Sequence, residues 1–534
     1  VNRKQRRKQS RSKSNTRRTG VTYLAIAGLA GGSIGLASPA HAAVYTSTDC
    51  NDLRSDLIAL ETGGGTLTAD FAGTCGLNET YIFNATTSII GPADNSLILS
   101  FTSNRDTLFT FSEGGVSSVA NLNFTKDGEA SLNYFIGVYP GVSLEVSNST
   151  FYDASINAAI YAEGNLTVSG STFENLTSTA GGAAIYVDSS SAETVIANST
   201  FTNNQATGQA SGGAVNANGQ LSIFNSTFES NVAGDQGGAV FSENMTAINN
   251  STFTGNSAMS GAAVVFGEGG VISNSTFWNN GDADTFSIDS GSESGFFGNI
   301  LANDSSNTVK LFEPERAIVD LGANLYTDTS FVDTTSGVGS SELVTAGQLK
   351  LSALALNQTE PANPGTTETV AIATDSIAYD FYKADSPGID PTYEGNMESV
   401  LAEYDQRGAA RPFGAGYDVG AFESGDTPEP TPSSSPSPSS SPSPSSSPSP
   451  SPSASPSPSA SPSPSASPSP SASPSPSASP SPSASPSPSA EASDLETLAD
   501  TGIDNQTSFL ALIGIGLATI LGGSVGLIRR RKKA

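Results

Sequence analysis

Ser-Thr-Phe occurs six times in the middle of the chain, at Ser149–Phe151, Ser171–Phe173, Ser199–Phe201, Ser226–Phe228, Ser251–Phe253 and Ser275–Phe277. The phenylalanines are 22, 28, 27, 25 and 24 residues apart. A period this short allows one supersecondary unit per repeat, stacked on its neighbours. The spacing varies by several residues, so loops change length while a core element keeps its register.

A second motif runs in phase with the first: Gly181-Gly182-Ala183-Ala184-Ile185, Gly212-Gly213-Ala214-Val215, Gly237-Gly238-Ala239-Val240 and Gly261-Ala262-Ala263-Val264. Between the motifs lie alternating pairs, Leu166 with Val168 and Leu221 with Ile223. Alternation at period two marks strands, and no stretch sustains the apolar period of a helix. Two or three short strands per repeat, joined by turns rich in Asn, Gly and Ser, predict an all-β, right-handed parallel β-helix. Its coils would lie about 4.8 Å apart with Phe, Ile, Val and Leu stacked inside. The Gly-Gly pairs permit positive φ or close backbone approach. Asparagines recurring in register are expected to form hydrogen-bonded ladders. Asn148-Ser149-Thr150 and its relatives also match an N-glycosylation acceptor, but the triplet recurs because the coil recurs.

Asn follows three residues after Phe at Phe201-Asn204, Phe228-Asn231, Phe253-Asn256 and Phe277-Asn280. Together with Gly-Gly-Ala-Val, this resembles the repeat of chlamydial polymorphic outer-membrane proteins over residues 148–280. That resemblance implies a surface β-helix of adhesin type. Phe151 and Phe173 lack the Asn, so the first copies are degenerate.

Before the repeats, Leu53, Leu57, Ile58 and Leu60 have amphipathic helical spacing, and Gly63-Gly64-Gly65 ends it. A short helix there would cover the open end of an apolar stack. Strand-like pieces follow at Tyr81–Phe83, Leu97–Phe101 and Leu108–Phe111. Cys50 and Cys75 are the two cysteines of the chain, and in an exported protein they are expected to form one disulfide across this cap.

After the repeats come Gly298-Asn299-Ile300-Leu301-Ala302-Asn303 and Gly322-Ala323-Asn324-Leu325. Ser386-Pro387-Gly388-Ile389-Asp390, Asp405-Gln406-Arg407-Gly408 and Asp418-Val419-Gly420-Ala421-Phe422-Glu423 follow. The series resembles the choice-of-anchor Q domain over residues 295–424, a C-terminal segment of bacterial surface β-helix proteins with no assigned catalytic residues. Arg407 and Arg411 are expected to pair with Asp405, Asp418 or Glu423 and tie down the last coil.

Both ends read as addresses. Nine Lys or Arg precede position 19, an apolar Tyr23–Ala37 follows, and Ala40-His41-Ala42 fits a signal-peptidase site, with the mature start at Ala43. Thr427–Ala490 is nearly all Pro, Ser and Ala, a composition that buries no core and favours a disordered, polyproline-like stalk. Leu498-Ala499-Asp500-Thr501-Gly502 precedes an apolar run, Phe509–Ile528, long enough for one transmembrane helix. Arg529-Arg530-Arg531-Lys532-Lys533 closes it as a positive-inside stop. That order resembles the cell-wall sorting signal read by sortases. Ala499 stands where proline is usual, a form associated with high-GC Gram-positive bacteria. The resemblance implies membrane crossing, cleavage after Thr501 and joining of Thr501 to peptidoglycan. The expected layout is a signal peptide over 1–42, cap and first coils over 43–115, and repeats over 116–300. A C-terminal segment over 301–425, a stalk over 426–491 and a sorting signal over 498–534 complete it.

The formal net charge is −28. Discounting nine basic residues in the leader, and five with Asp504 in the tail, leaves nine Lys and Arg against fifty acids, near −41. Such a surface repels nucleic acid and anionic lipid and attracts divalent cations, calcium among them. The single histidine, His41, lies in the leader, which removes imidazole-dependent hydrolysis and zinc chemistry from the mature chain. No Lys or Arg lies between Lys126 and Lys310, so a lyase base and uronate-neutralising cations are missing from the repeats. Carboxylate-pair glycoside hydrolysis remains, with Asp282 and Asp284 as candidates and Asp235 and Asp304 behind them. Three readings follow: a non-catalytic, wall-anchored adhesin for a glycan or protein ligand, a surface glycosidase, and a structural spacer. The first is expected. An aromatic-lined groove with converging acids would favour the enzyme, and an exposed ladder without convergence would favour binding.

Overall fold

The computed structural model describes residues 43–128, 130–281, 284–288, 293–303, 317–331, 341–357, 367–383 and 404–425. The leader, the stalk, the sorting motif Leu498–Gly502, the apolar run 509–528, Asp282 and Asp304 lie outside them. Among the described residues no helix is long and apolar enough to cross a membrane.

The repeats build a right-handed parallel β-solenoid of about 10 turns. Each coil passes through three sheets in turn. Among the described residues the first sheet has twelve strands, Ala43–Ser47 to Ala317–Gly322, and the second has twelve, Gly73–Leu77 to Glu342–Leu343. The third has nine, Tyr81–Phe83 to Phe286–Ile288. Every pairing within these sheets that involves Ser143–Ala162 is parallel, because each coil returns to the same place one level up.

The triplet and its neighbours each answer one demand of the coil. Asn148, Asn198, Asn225, Asn250 and Asn274 sit in turns at φ between 47° and 49°. That left-handed region suits Asn and Gly, and Gly170 and Gly298 take the same place in their coils at φ 57° and 64°. The next residue, serine, is buried and forms a ladder: Ser149 N donates to Ser171 Oγ, and so on up to Ser251 N and Ser275 Oγ, at 3.1–3.2 Å. Thr points outward from the second sheet, and Phe points in. The six phenylalanines, joined by Phe124, form one stack with centroids 4.5–4.9 Å apart and rings within 9° of parallel. Phe124 escapes the triplet because Leu122 and Asn123 stand where Ser and Thr would be. Three residues after Phe, Asn204, Asn231, Asn256 and Asn280 make the expected ladder, each Nδ2 bonding the next Oδ1 at 2.9–3.0 Å. These fully buried amides are paired on the side chain and on the backbone, which removes the desolvation penalty of burying them.

The first sheet contributes an aliphatic column in register, Val146, Val168, Ile196, Ile223, Ile248 and Ile272. The second motif feeds the third sheet. Gly182, Gly212, Gly237 and Gly261 turn the chain at φ of 53° to 71°, and Ile185, Val215, Val240 and Val264 then point inward.

The solenoid runs from Ala43–Ser47 to Glu342–Leu343, beyond the residues 116–300 assigned to the repeats. The predicted cap helix is Cys50–Gly63, with Asp49 accepting from Asn51 N and Asp52 N at its start and Gly64 at its C-cap. It does not precede the first coil. Ala43–Ser47 comes before it and pairs with Gly65–Ala69, so the helix is an insertion in the first turn that buries Leu53, Leu57 and Leu60 on the end of the core. Cys50 and Cys75 are joined, tying this helix to the second sheet. Closing a loop with a sequence separation of 25 contributes about 3 kcal/mol in the chain-entropy account.

The C-terminal segment differs from its sequence expectation. Arg407 does pair with Asp405 at 2.5 Å, and Arg411 lies 3.4 Å from Glu423. Among the described residues both arginines bond only within the C-terminal segment, Arg407 also to Asn357 O and Glu423 O and Arg411 to Asp418 O and Gly420 O. The segment so braced lies on the outer face of the second sheet, not on the end of the last coil. Gln406 is the plug. Its Oε1 accepts from Thr252 Oγ1 at 2.6 Å, and its Nε2 donates to Thr227 Oγ1 at 2.8 Å and Thr367 Oγ1 at 2.7 Å. Ala421 N reaches Thr276 Oγ1 at 3.0 Å. Thr227, Thr252 and Thr276 are therefore buried, while Thr150, Thr172 and Thr200 remain partly exposed.

Candidate ligand-binding face

The outer face of the third sheet carries the chemistry. The position just after each inward aliphatic points out, and its register runs Ile82, Thr110, Gly137, Tyr161, Tyr186, Asn216, Phe241, Val265, Ser287. No backbone demand selects these side chains, and they differ from coil to coil. Gly137 has no side chain to set beside Tyr161, and the Tyr134 ring takes that place. Tyr134 and Tyr161 have centroids 4.8 Å apart at 33°, and Tyr161 and Tyr186 are 5.9 Å apart at 43°. All three rings are half-buried, leaning on one another along the solenoid axis.

A polar column flanks them. The first residue after each strand is Glu163, Asp188, Asn218 and Glu243 in successive coils. Their N–H groups bond Val138 O, Ala162 O, Val187 O and Ala217 O, each in the coil before, at 2.8–2.9 Å. The column thus advances by one residue per coil. Tyr161 Oη lies 2.6 Å from Glu163 Oε1 and 2.9 Å from Asp188 Oδ2. Tyr186 Oη reaches Asp188 Oδ1 at 3.4 Å, and Asn218 Nδ2 reaches the same oxygen at 3.5 Å. A phenol has one hydrogen to donate, so two carboxylates share what serves one. Burial, then the bonds to Glu163 and Asp188, hold the Tyr161 phenol far above its ordinary range. Tyr186 is raised by burial and then by the Asp188 charge. These tyrosines stay neutral donors throughout the physiological range.

Beyond Tyr134 the row continues as Thr110 and Ile82. A shallow hollow of about 450 Å³ opens there, between Ile82, Arg105, Asp106, Thr110 and Tyr139. Arg105 lines this hollow, Lys126 is the cation nearest to the row in sequence, and residues 127–309 contain neither Lys nor Arg. Glu163, Asp188 and Glu243 therefore have no cation within their own coils.

Of the residues singled out for glycosidase chemistry, Asp235 and Asp284 are among the described residues, and Asp282 and Asp304 lie outside them. Asp235 is a turn residue whose carbonyl accepts from Met259 N and Ser260 N. Asp284 offers its carbonyl to Ala262 N in the coil ladder. The pair that does converge, Glu163 with Asp188, was not among them. A cue existed in Ile160-Tyr161-Ala162 and Ile185-Tyr186-Val187, where an aromatic sits between two inward apolar residues and must face out. Among the described residues no group of three His, Cys, Asp or Glu side chains is placed to hold a metal ion.

The family model of the right-handed β-helix region matches residues 134–240, the span that contains the tyrosine row. No curated protein matches the chain. The match agrees with the observed solenoid. This fold serves surface proteins and also some glycosidases and lyases, so it does not choose among them.

Proposed function

We propose that the protein is an adhesin-like, non-catalytic binding protein, displayed on a bacterial cell wall, whose ligand lies along the outer face of the third sheet. One observation carries the reading: Tyr134, Tyr161 and Tyr186 stand half-buried in a row on the outer face of the sheet beside Glu163, Asp188 and Glu243. Half-buried aromatics with engaged hydroxyls give rigid contact area at low entropic cost, which suits recognition. Display is supported by the leader ending at Ala42, the stalk, and the order of Leu498–Gly502, apolar run and basic tail. Sortase and peptidoglycan are the partners this order implies through Thr501. The likeness of residues 295–424 to the choice-of-anchor Q domain belongs to the same reading.

The test compares cells displaying the wild-type chain with cells displaying Tyr161→Ala. Retention on a panel of neutral, anionic and amino glycans and of matrix proteins should drop for at least one member. Equal retention across the whole panel rejects the face. For anchoring, muralytic digestion should release the protein and detergent should not.

A glycosidase is the second reading, favoured by Glu163 and Asp188 facing one another across a single hydroxyl. Retaining enzymes need two close carboxylates with a sugar between them. Here the Tyr161 hydroxyl fills that gap, which favours binding over turnover. New reducing ends that vanish in Glu163→Gln would reverse the ranking.

A further inference from the structure

The hollow beyond Tyr134 is built unlike the acidic column that follows it. We infer that it takes the carboxylate of an acidic sugar at the end of a glycan, whose neutral sugars then run over Tyr134 and Tyr161. This rests on the binding reading above and names its ligand class.

Three observations converge on that chemistry. The first is an unused cation. Lys126 gives its ammonium to Gly128 O and Ala130 O, and Arg54 reaches Gly76 O. Arg407 and Arg411 are paired within the C-terminal segment. Arg105 lines the hollow and is exposed, and among the described residues its guanidinium forms no hydrogen bond or ion pair. The acid beside it is engaged elsewhere, for Asp106 Oδ1 accepts from Asn133 Nδ2 at 3.1 Å. A free guanidinium presents two parallel N–H groups, the match of a carboxylate.

The second is the balance of donors and acceptors. Asn104 Oδ1 already accepts from Ser131 N at 2.8 Å, as Asp106 Oδ1 does from Asn133. The Asn104 Nδ2 group and the hydroxyls of Thr107, Thr110 and Tyr139, all lining the hollow, have no partner among the described residues. What remains on offer is therefore mainly donors. They surround about 450 Å³, within the range of about 300–1,000 Å³ usual for small-ligand sites. A carboxylated sugar brings the complement: its carboxylate for Arg105, and ring and hydroxyl oxygens for the neutral donors.

The third is the place of the hollow along the axis. Tyr139 N bonds Phe111 O just as Glu163 N bonds Val138 O one coil on, so Tyr139 precedes Glu163 in the polar column. The column is neutral at Tyr139 and acidic at Glu163 and Asp188. Thr107 is in register with Tyr134, and Thr110 with Gly137, so the hollow borders the row. A polyanion laid along the axis would run its charges past Glu163 and Asp188 and be repelled, whereas a glycan charged at its terminus alone would not. A peptide ending in a carboxylate fits less well. Thr110 lies in a strand paired on both sides, with Ile82 and Gly137, and Thr107 O already accepts from Thr80 Oγ1 at 2.6 Å. A peptide's backbone groups find no open strand edge at Thr110.

The experiment uses the purified full chain and immobilised probes: lactose capped by sialic acid, lactose capped by glucuronic acid, each of these with its carboxylate reduced to the alcohol, and a sulfated glycosaminoglycan. At least one capped probe should bind, and lose about tenfold in affinity both on reduction of its carboxylate and in Arg105→Gln. Arg105 holds nothing in the fold, so the thermal midpoint of that variant should equal that of the wild type. Asp106→Asn removes the one acid lining the hollow and should tighten binding about threefold. Weaker binding there would mean that the ligand donates to Asp106, and would overturn the carboxylate assignment. Equal binding of the reduced probes, or wild-type affinity in Arg105→Gln, overturns it as well, and if Tyr161→Ala abolishes that binding the face still stands. Equal binding of the glycosaminoglycan reduces the hollow to unspecific attraction of anions and also overturns it. Failure of every probe, with a Tyr161-dependent partner found elsewhere in the panel, overturns the ligand class alone. Failure of every probe with no such partner removes the face itself.

Discussion

The second and third sheets belong to the same coils, yet their outer faces follow opposite rules. On the second sheet the outward residue before each stacked phenylalanine is Thr in six consecutive coils, from Thr150 to Thr276. On the third sheet the outward row changes at nearly every step, from Ile82 to Ser287. The uniform face is used by the chain itself: Gln406 docks between Thr227 and Thr252, and Ala421 on Thr276. Among the described residues, Tyr161 and Asp188 on the irregular face meet only neighbouring coils. Repetition therefore marks what the solenoid needs, and departure from it marks what the solenoid presents.

Four measurements can break or sharpen that contrast. The largest effect belongs to the repeated side. Phe228 stacks between Phe201 and Phe253 at 4.5 and 4.6 Å and is fully buried. Phe228→Ala should cost about 3–5 kcal/mol of unfolding free energy as a core cavity. A loss below about 0.5 kcal/mol would contradict the stack.

Next comes the covered half of the threonine face. Gln406→Ala leaves the hydroxyls of Thr227, Thr252 and Thr367 without their shared partner in a buried place, a loss of about 1–3 kcal/mol. The loss should fall on the C-terminal segment, read as faster proteolysis of residues 404–425 and a changed emission from Trp278, which packs against the core shared by the last coils and this segment. The same cleavage rate as wild type would mean that the plug contributes little.

The third is pH. Burial, and then the Glu423 charge, push Asp418 up to about 7 from 3.8. Glu423 moves in the same direction, again chiefly by burial. A carboxyl whose folded value lies above its unfolded value binds its proton more tightly when folded. Its contribution is complete below the unfolded value and is lost as pH rises through the folded one. Docking of the segment, followed by Trp278 emission during thermal unfolding, should therefore weaken as pH rises from about 4 to about 7. Asp418→Asn should flatten that slope, and an unchanged slope would assign it elsewhere.

The smallest effect on stability belongs to the irregular face. Tyr161→Ala should cost about 1 kcal/mol or less, because the ring is half outside and its hydroxyl bonds surface carboxylates. Ligand retention should nevertheless fall. A loss as large as that of Phe228→Ala would place Tyr161 among the structural residues.

The legible part of the fold was the part under backbone constraint. A turn at positive φ selects Asn148 or Gly170, a buried ladder selects Ser171, and an interior stack selects Phe173, so the triplet reads directly as a coil. The strands at Tyr81–Phe83 and Leu97–Phe101 were legible from alternation. The first strand, Ala43–Ser47, was not, because its partner Gly65–Ala69 lies beyond the helix it precedes. Arg407 and Arg411 announced ion pairs, but local sequence cannot say which surface a segment lies against. The candidate site was the least legible. Outward positions on a sheet obey no packing rule, so Tyr161 and Tyr186 gained meaning only when register brought them together with Asp188. Proximity in sequence pointed to Asp282 and Asp284, of which Asp284 alone lies among the described residues, with its backbone carbonyl accepting from Ala262 N.

The lateral seat of the C-terminal segment sets how the molecule answers a pull. Gly425 follows Glu423 and Ser424, whose N–H groups bond Asp405 and Asp418. Tension entering there is passed at once to the Arg407–Asp405 pair, the Gln406 plug and the Gly420–Gly298 bond. These contacts lie side by side against several coils, so they are strained together, in shear. A chain leaving from the last strand would instead peel one rung at a time, each rung failing alone. A pull applied at Gly425 would thus reach the solenoid by its flank, through the Gln406 and Gly420 contacts before its ladders.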